Sequence, residues 1–171
     1  MQEPMLRLNG VNENLQIHIE TALRGADVPL KVELAVLTVF PEFPIPTHNQ
    51  NPQLGQASDT VWTAQNVSLA TFLKLLHEQR ILDTALDAMT ASFEGNKTEF
   101  SLLRQAAIVG KVAFPLPGER PLGGLINIVL EGQNLGDWLE AATWHKGRDT
   151  VPRSIQDDNT MGADGEAVTW I

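Results

Sequence analysis

The densest set of polar side chains in the chain is Trp144-His145-Lys146-Gly147-Arg148-Asp149. Such a cluster could clamp a phosphate or carboxylate, with Arg148 as the fork and His145 as acid or base. The same residues also suit a helix end, where cations oppose the dipole and a glycine takes the left-handed cap. Capping accounts for all of them without a ligand and is preferred. Asp83 and Asp87 stand four apart, with Glu78 close behind. Paired carboxylates can hold a divalent ion or divide acid and base roles, but acids at this spacing more often form the solvated face of a helix. Pro117-Gly118-Glu119-Arg120-Pro121-Leu122-Gly123-Gly124 joins glycines to a cation. A phosphate loop runs from a strand into a helix N-terminus, whereas this one is expected to run into a strand, so hairpin geometry is preferred.

Other chemistry is excluded more directly. There is no cysteine, hence no disulfide framework, thiolate site or thiol nucleophile. No dinucleotide or P-loop glycine pattern is present, and His77-Glu78 is followed by Ile81 where a zinc-binding helix needs its second histidine. His18, His48, His77 and His145 are scattered, so no metal site is assigned. Ser68, Ser101 and Ser154 lack a nucleophile-elbow setting. Asn66-Val67-Ser68 and Asn96-Lys97-Thr98 match a glycosylation pattern but read as helix caps. No catalytic residue, cofactor or metal ligand is therefore expected.

Charge narrows the partners. The 171 residues carry 12 basic and 21 acidic side chains, a formal net charge of -9. No Lys or Arg occurs between Lys31 and Lys74, which argues against a nucleic-acid grip, since that needs clustered cations. No apolar run reaches membrane-spanning length, and the amino end lacks the layout of a signal peptide, so a cytoplasmic chain is expected.

The positioning elements follow from periodicity. Residues 12–24 can alternate as a strand or wind as a helix; Asn12 or Asn14 as cap and Gly25 as stop favour the helix. Residues 30–40 are β-branched and apolar on both faces, the mark of a central strand. A loop with four prolines occupies 41–59 and holds Phe43 and Ile45 between them. A strand is expected over 60–65. A helical region from Ser68 follows, in which Leu69, Phe72, Leu73 and Leu76 share a face that Leu82, Leu86 and Met89 do not. A stripe that shifts by half a turn predicts a break near His77 to Arg80. A helix over 97–109, strands over 111–115 and 124–131 joined as a hairpin, and a last helix from Asn134 to Gly147 complete the chain. Val39-Phe40-Pro41 and Ala113-Phe114-Pro115 are a faint echo, each expected to end a strand.

Together these predict an α+β fold: a mainly antiparallel sheet of about four strands with helices largely on one face. One domain spans 1–148, and 149–171 forms an acidic arm whose apolar end holds Val168, Trp170 and Ile171. With no catalytic motif, elimination points to a non-enzymatic structural or adaptor subunit of a larger assembly, for example a virion or contractile-tail component. It would meet other protein subunits, as a homo- or hetero-oligomer, through Phe43, Ile45, Leu116, Arg120, Val168, Trp170 and Ile171, and a virion location would follow if it were a phage component. Two alternatives stay open: a small acidic regulatory or inhibitory protein acting on a basic partner, and an enzyme or anion-binding domain built on His145 and Arg148.

Overall fold

The computed structural model of the chain describes residues 8–47 and 58–155. Ile17, Ile19, Thr21 and Leu23 are buried and alternate with His18, Glu20 and Ala22. That two-residue period makes a strand. β1 (Gln16–Gly25) thus stands in place of the helix expected over 12–24. Asn12 and Asn14, expected as caps, take φ of 59° and 61° and turn the chain into the strand.

The reverse exchange follows. Pro29–Val39 forms helix α1, not the central strand expected over 30–40. Val32, Ala35, Val36 and Val39 are buried while Leu30 and Leu34 are exposed, so apolar side chains surround the axis. A helix of that kind carries no amphipathic signature, and its valines imitate a strand. Pro29 fits the first helical turn, where its missing N–H costs no bond.

β2 (Ser58–Gln65) lies where expected. α2 (Ala70–Glu78) and α3 (Leu82–Thr90) are separate helices, as the displaced apolar stripe requires. The expected helix over 97–109 is strand for its first half. β3 (Lys97–Leu103) buries Thr98, Phe100 and Leu102 in alternation, and only then does the short α4 (Arg104–Ile108) form. Residues 111–115 form no strand; a single backbone bond, Leu103 N–H to Ala113 O at 2.9 Å, ties them to β3. The expected hairpin over 111–131 is therefore absent. β4 (Leu125–Glu131) runs instead between β1 and β3, giving the antiparallel order β2-β1-β4-β3. α5 (Leu135–Ala142) buries Leu135, Trp138 and Leu139. It stops short of Gly147, which lies inside a 3-10 turn (Lys146–Asp149).

The result is the α+β architecture expected, with the helices over one face of an antiparallel sheet. The buried side chains of all four strands meet those of the helices in one core. Phe40, Phe72, Phe100 and Phe114 form a chain of ring contacts at 6.0, 6.0 and 6.4 Å through it. The two Phe-Pro strings therefore do not end paired strands: Phe40 caps a helix and Phe114 lies in a loop. Burying Phe40, Phe72 and Phe100 contributes about 1.5–3 kcal/mol each. No described helix lies on the opposite sheet face. Its register runs from Val61, Ala22, Leu125 and Leu103 at one end to Gln65, His18, Val129 and Glu99 toward the other.

Candidate functional site

Helix α2 ends in a tight reversal. Ile81 N–H donates to Leu76 O at 3.1 Å and Arg80 N–H to His77 O at 3.1 Å, the bonding of a left-handed helix stop. The residue at the left-handed position, normally glycine, is Arg80 with φ of 57°. α3 begins at once, and no side chain caps its N-terminus. Between the two helices lies a recess of about 280 Å3 lined by His77, Arg80, Ile81, Leu82, Asp83, Thr84 and His145. Leu82, Asp83 and Thr84 are the first turn of α3, whose positive dipole end and unbonded N–H groups favour an anion.

The far wall is held rigidly. Arg148 is buried, 7% exposed. Its Nε donates to Asp83 Oδ1 at 3.0 Å, Nη1 to Glu140 O at 2.9 Å and Nη2 to Thr143 Oγ1 at 2.9 Å. His145 Nδ1 accepts the Gly147 N–H at 3.2 Å, so the ring proton sits on Nε2, which meets Asp83 Oδ1 at 2.9 Å. Burial pushes the Asp83 carboxyl up, but its hydrogen bonds to His145 and Arg148 and the positive charge of Arg148 outweigh it and hold the pKa below its ordinary value. Asp83 is therefore an ionised strut whose charge Arg148 offsets. With both ring nitrogens engaged, His145 is poorly placed for proton transfer.

The 144–149 cluster thus acts as a helix-end clasp: Arg148 takes a terminal carbonyl of α5 and ties it to α3. Asp87 is likewise paired, with Arg153 Nε at 3.1 Å, and Glu78 pairs with Lys74 at 3.8 Å. Among the described residues, no group of three or more His, Asp or Glu side chains is arranged to hold a metal.

Of the residues expected to meet partners, Phe43 is only 3% exposed and belongs to the core, and Ile45 packs against it half-buried. The short turn bonded from Phe43 N–H to Phe40 O at 3.0 Å folds the proline segment back onto its own domain. Leu116 and Arg120 are exposed. Val168, Trp170 and Ile171 lie outside the described residues.

Two features escaped sequence reasoning. One is Arg80: the break was legible, but nothing in the linear pattern marked which residue takes the left-handed position. The other is Arg104, 3% exposed. It donates to Gly123 O at 2.8 Å, Thr21 Oγ1 at 2.9 Å, Ala22 O at 2.7 Å and Asp27 Oδ2 at 2.9 Å. Gly124 (φ 79°) lies so close that a Cβ there would fall 2.0 Å from Arg104 Nη2. A wider groove of about 550 Å3 opens at the other end of the sheet among Asn14, Gln16, Asn96, Glu131 and Gln133. It offers amides and a carboxylate but no cation.

Fold and site together define a small α+β protein with helices over one face of an antiparallel sheet and a polar recess at a helix elbow. No family model matches the chain. It is similar to archaeal UPF0201 proteins: 27% identical over 120 residues to one from Methanocaldococcus jannaschii, covering 70% of this chain and 66% of the relative. It is 42% identical over 81 residues to another from Sulfurisphaera tokodaii, covering 45% of this chain and 55% of the relative. The matched lengths are under two thirds of these relatives. The solved M. jannaschii UPF0201 protein superposes with a TM-score of 0.60 at 24% identity, over 77% of this chain and 96% of that one. A further solved UPF0201 protein gives 0.61 at 25% identity, over 77% and 95%.

These likenesses correct the expectation of a structural or adaptor subunit. The relatives are archaeal UPF0201 proteins, not virion or contractile-tail components. The virion location goes with it. No described helix is long and apolar enough to cross a membrane.

Proposed function

We propose that this chain binds a small phosphate-bearing ligand in the recess between α2 and α3, as a binding protein and not through turnover at this site. The observation that carries the reading is Arg80. An arginine at a left-handed helix stop costs roughly 1–2 kcal/mol relative to a right-handed backbone. Glycine avoids that cost, so the sequence keeps a cation where the backbone disfavours one. Its side chain lines a recess together with the N-terminal turn of α3, and the two attract an anion by different means, a guanidinium fork and a set of N–H groups.

The remaining charge balance agrees. Asp83 is offset by Arg148, and Arg80 makes no ion pair with a described residue. Ile81 and Leu82 supply an apolar patch for the body of the ligand. Turnover at this site would need a mobile proton, and two of its titratable groups, Asp83 and His145, are committed to each other and to Arg148.

The test is calorimetric titration of the full chain with inorganic phosphate, with sulfate and acetate as comparators. Saturable phosphate binding that is lost in Arg80→Ala while the circular dichroism spectrum is kept supports the reading. Absence of saturable binding, or equal binding by the variant, overturns it.

A further inference from the structure

The two edges of the sheet are finished differently. Along the outer side of β3 the backbone is closed by the chain itself. Glu99 N–H donates to Ser92 Oγ at 3.0 Å, and the Ser92 hydroxyl donates to Glu99 O at 2.6 Å. Leu103 N–H goes to Ala113 O at 2.9 Å, and Glu94 and Lys97 exchange two backbone bonds at 3.0 and 3.1 Å. The other edge is β2. Asn66 N–H donates to Ile17 O at 2.8 Å. By alternation Thr60, Trp62 and Ala64 turn their backbone groups to β1, while Val61, Thr63 and Gln65 turn theirs outward. Those outward N–H and C=O groups bond no described residue. The strand also lacks the usual guards of a free edge. Thr60-Val61-Trp62-Thr63-Ala64-Gln65-Asn66 holds no proline and no charge. Its register with β1 is unbroken from the His18 and Gln65 pair to the Gly25 and Ser58 pair, so no bulge turns it aside. Val61 is 51% exposed, and Thr63 and Gln65 are exposed with it.

We propose that β2 pairs antiparallel with β2 of a second copy of this chain, joining the two sheets edge to edge about a two-fold axis at Trp62. That axis sets Val61 opposite the partner's Thr63 and Asp59 opposite the partner's Gln65. Every outward position from 59 to 65 is then paired, and no like charges face each other. Each such pair exchanges two backbone bonds, and the side chains of Val61 and Thr63 meet on the sheet face away from the helices. Charge selects the place. With a formal net charge of -9 two copies repel each other, and an uncharged edge lets them approach with the least repulsion. Closure selects the number. A two-fold contact uses the same surface on both copies, so it covers both bare edges at once. What is left outside is β3 on either side, which the chain has already closed, and growth stops at two copies. The proposal rests on β2 and is independent of ligand binding at the α2–α3 recess.

Sedimentation equilibrium of the full chain across the micromolar range tests it, with a dimer as the expected result. Thr63→Pro removes an N–H that the sheet of its own copy does not use, a place where an edge strand tolerates proline. Val61→Lys puts a charge on the edge while lowering the net negative charge, so a loss of pairing cannot come from added repulsion between copies. Each variant should sediment as a monomer with the far-ultraviolet circular dichroism of the parent. If Thr63→Pro unfolds, Val61→Lys carries the test alone. Because the chain has no cysteine, the register can be read directly. Val61→Cys and Thr63→Cys chains mixed under mild oxidation should give the mixed disulfide in severalfold excess over either homodisulfide, since the two positions face each other across the axis within disulfide reach. A parent that stays monomeric, a dimer that survives in a folded variant, or no excess of the mixed disulfide overturns the proposal.

Discussion

Replacing Arg80 by glycine should make the protein more stable and less able to bind phosphate. The backbone side of this follows from φ of 57° at Arg80. Relieving a left-handed non-glycine residue returns about 1–2 kcal/mol. Glycine loses about 0.5–1 kcal/mol of that through its greater freedom in the unfolded chain. The net gain is about 0–1.5 kcal/mol, a rise in Tm of up to roughly 6 °C for a chain of this size. The binding side follows from losing a charged hydrogen bond worth about 1.5–3 kcal/mol, which weakens phosphate affinity by about 10- to 150-fold. Scanning calorimetry with and without inorganic phosphate reads both effects together. Phosphate should raise the Tm of the parent and leave that of Arg80→Gly nearly unmoved. Arg80→Ala separates the two causes, because it keeps the backbone cost and loses the guanidinium: binding should fall with no gain in Tm. A lower Tm for Arg80→Gly, or unchanged phosphate affinity, would refute the reasoning.

Arg104→Met should cost about 3–5 kcal/mol in urea unfolding, since it leaves Asp27 and two carbonyls without their donor; Arg104→Lys should recover little, because an ammonium cannot reproduce the fork. Phe43→Ala should destabilise by about 3–5 kcal/mol as a core cavity mutant, where a residue serving only to dock a partner would leave the melting curve unchanged. The Glu13 carboxyl is also held low: burial raises it, but the Trp138 indole at 3.0 Å and the Gly10 and Asn9 N–H groups outweigh that. For both Glu13 and Asp83 the folded pKa lies below the unfolded one. Their stabilisation is thus full well above the ordinary values of 4.5 and 3.8 and is lost as pH falls through the folded values. Trp138→Phe and Asp83→Asn should each flatten the stability profile in that acid range, as followed by thermal melts at stepped pH.

The linear pattern was most legible where one face alone is buried. Strands β2 and β4, the helices on either side of the 79–81 break, and the apolar face of α5 all carry a clean period, and each lies where that period indicates. The pattern failed where the period was ambiguous or saturated. Segment 16–25 alternates strictly, yet its flanking asparagines and glycine equally suit helix caps; pairing with β2 and β4 decided for the strand. Segment 29–39 is apolar all round, so periodicity was silent. A strand there would have buried its own ladder partners, but the sheet is completed by β1, β3 and β4 instead.

The candidate site divides in the same way. The spacing of Leu76 and Leu82 located the elbow, whereas the left-handed glycine cap read from 144–149 is not formed: α5 ends at Ala142 and Gly147 lies within a 3-10 turn. Sequence alone determined an acidic, cysteine-free α+β chain with one broken helical pair, because composition and one-sided burial are local properties. Only the tertiary structure decided that Arg148 and His145 are spent on Asp83, that Phe43 is core, and that Arg80 faces a recess. Those outcomes depend on which distant carbonyl or carboxylate reaches each side chain first, and pairs 60 or more residues apart, such as Asp83 with Arg148, leave no periodic trace in the chain.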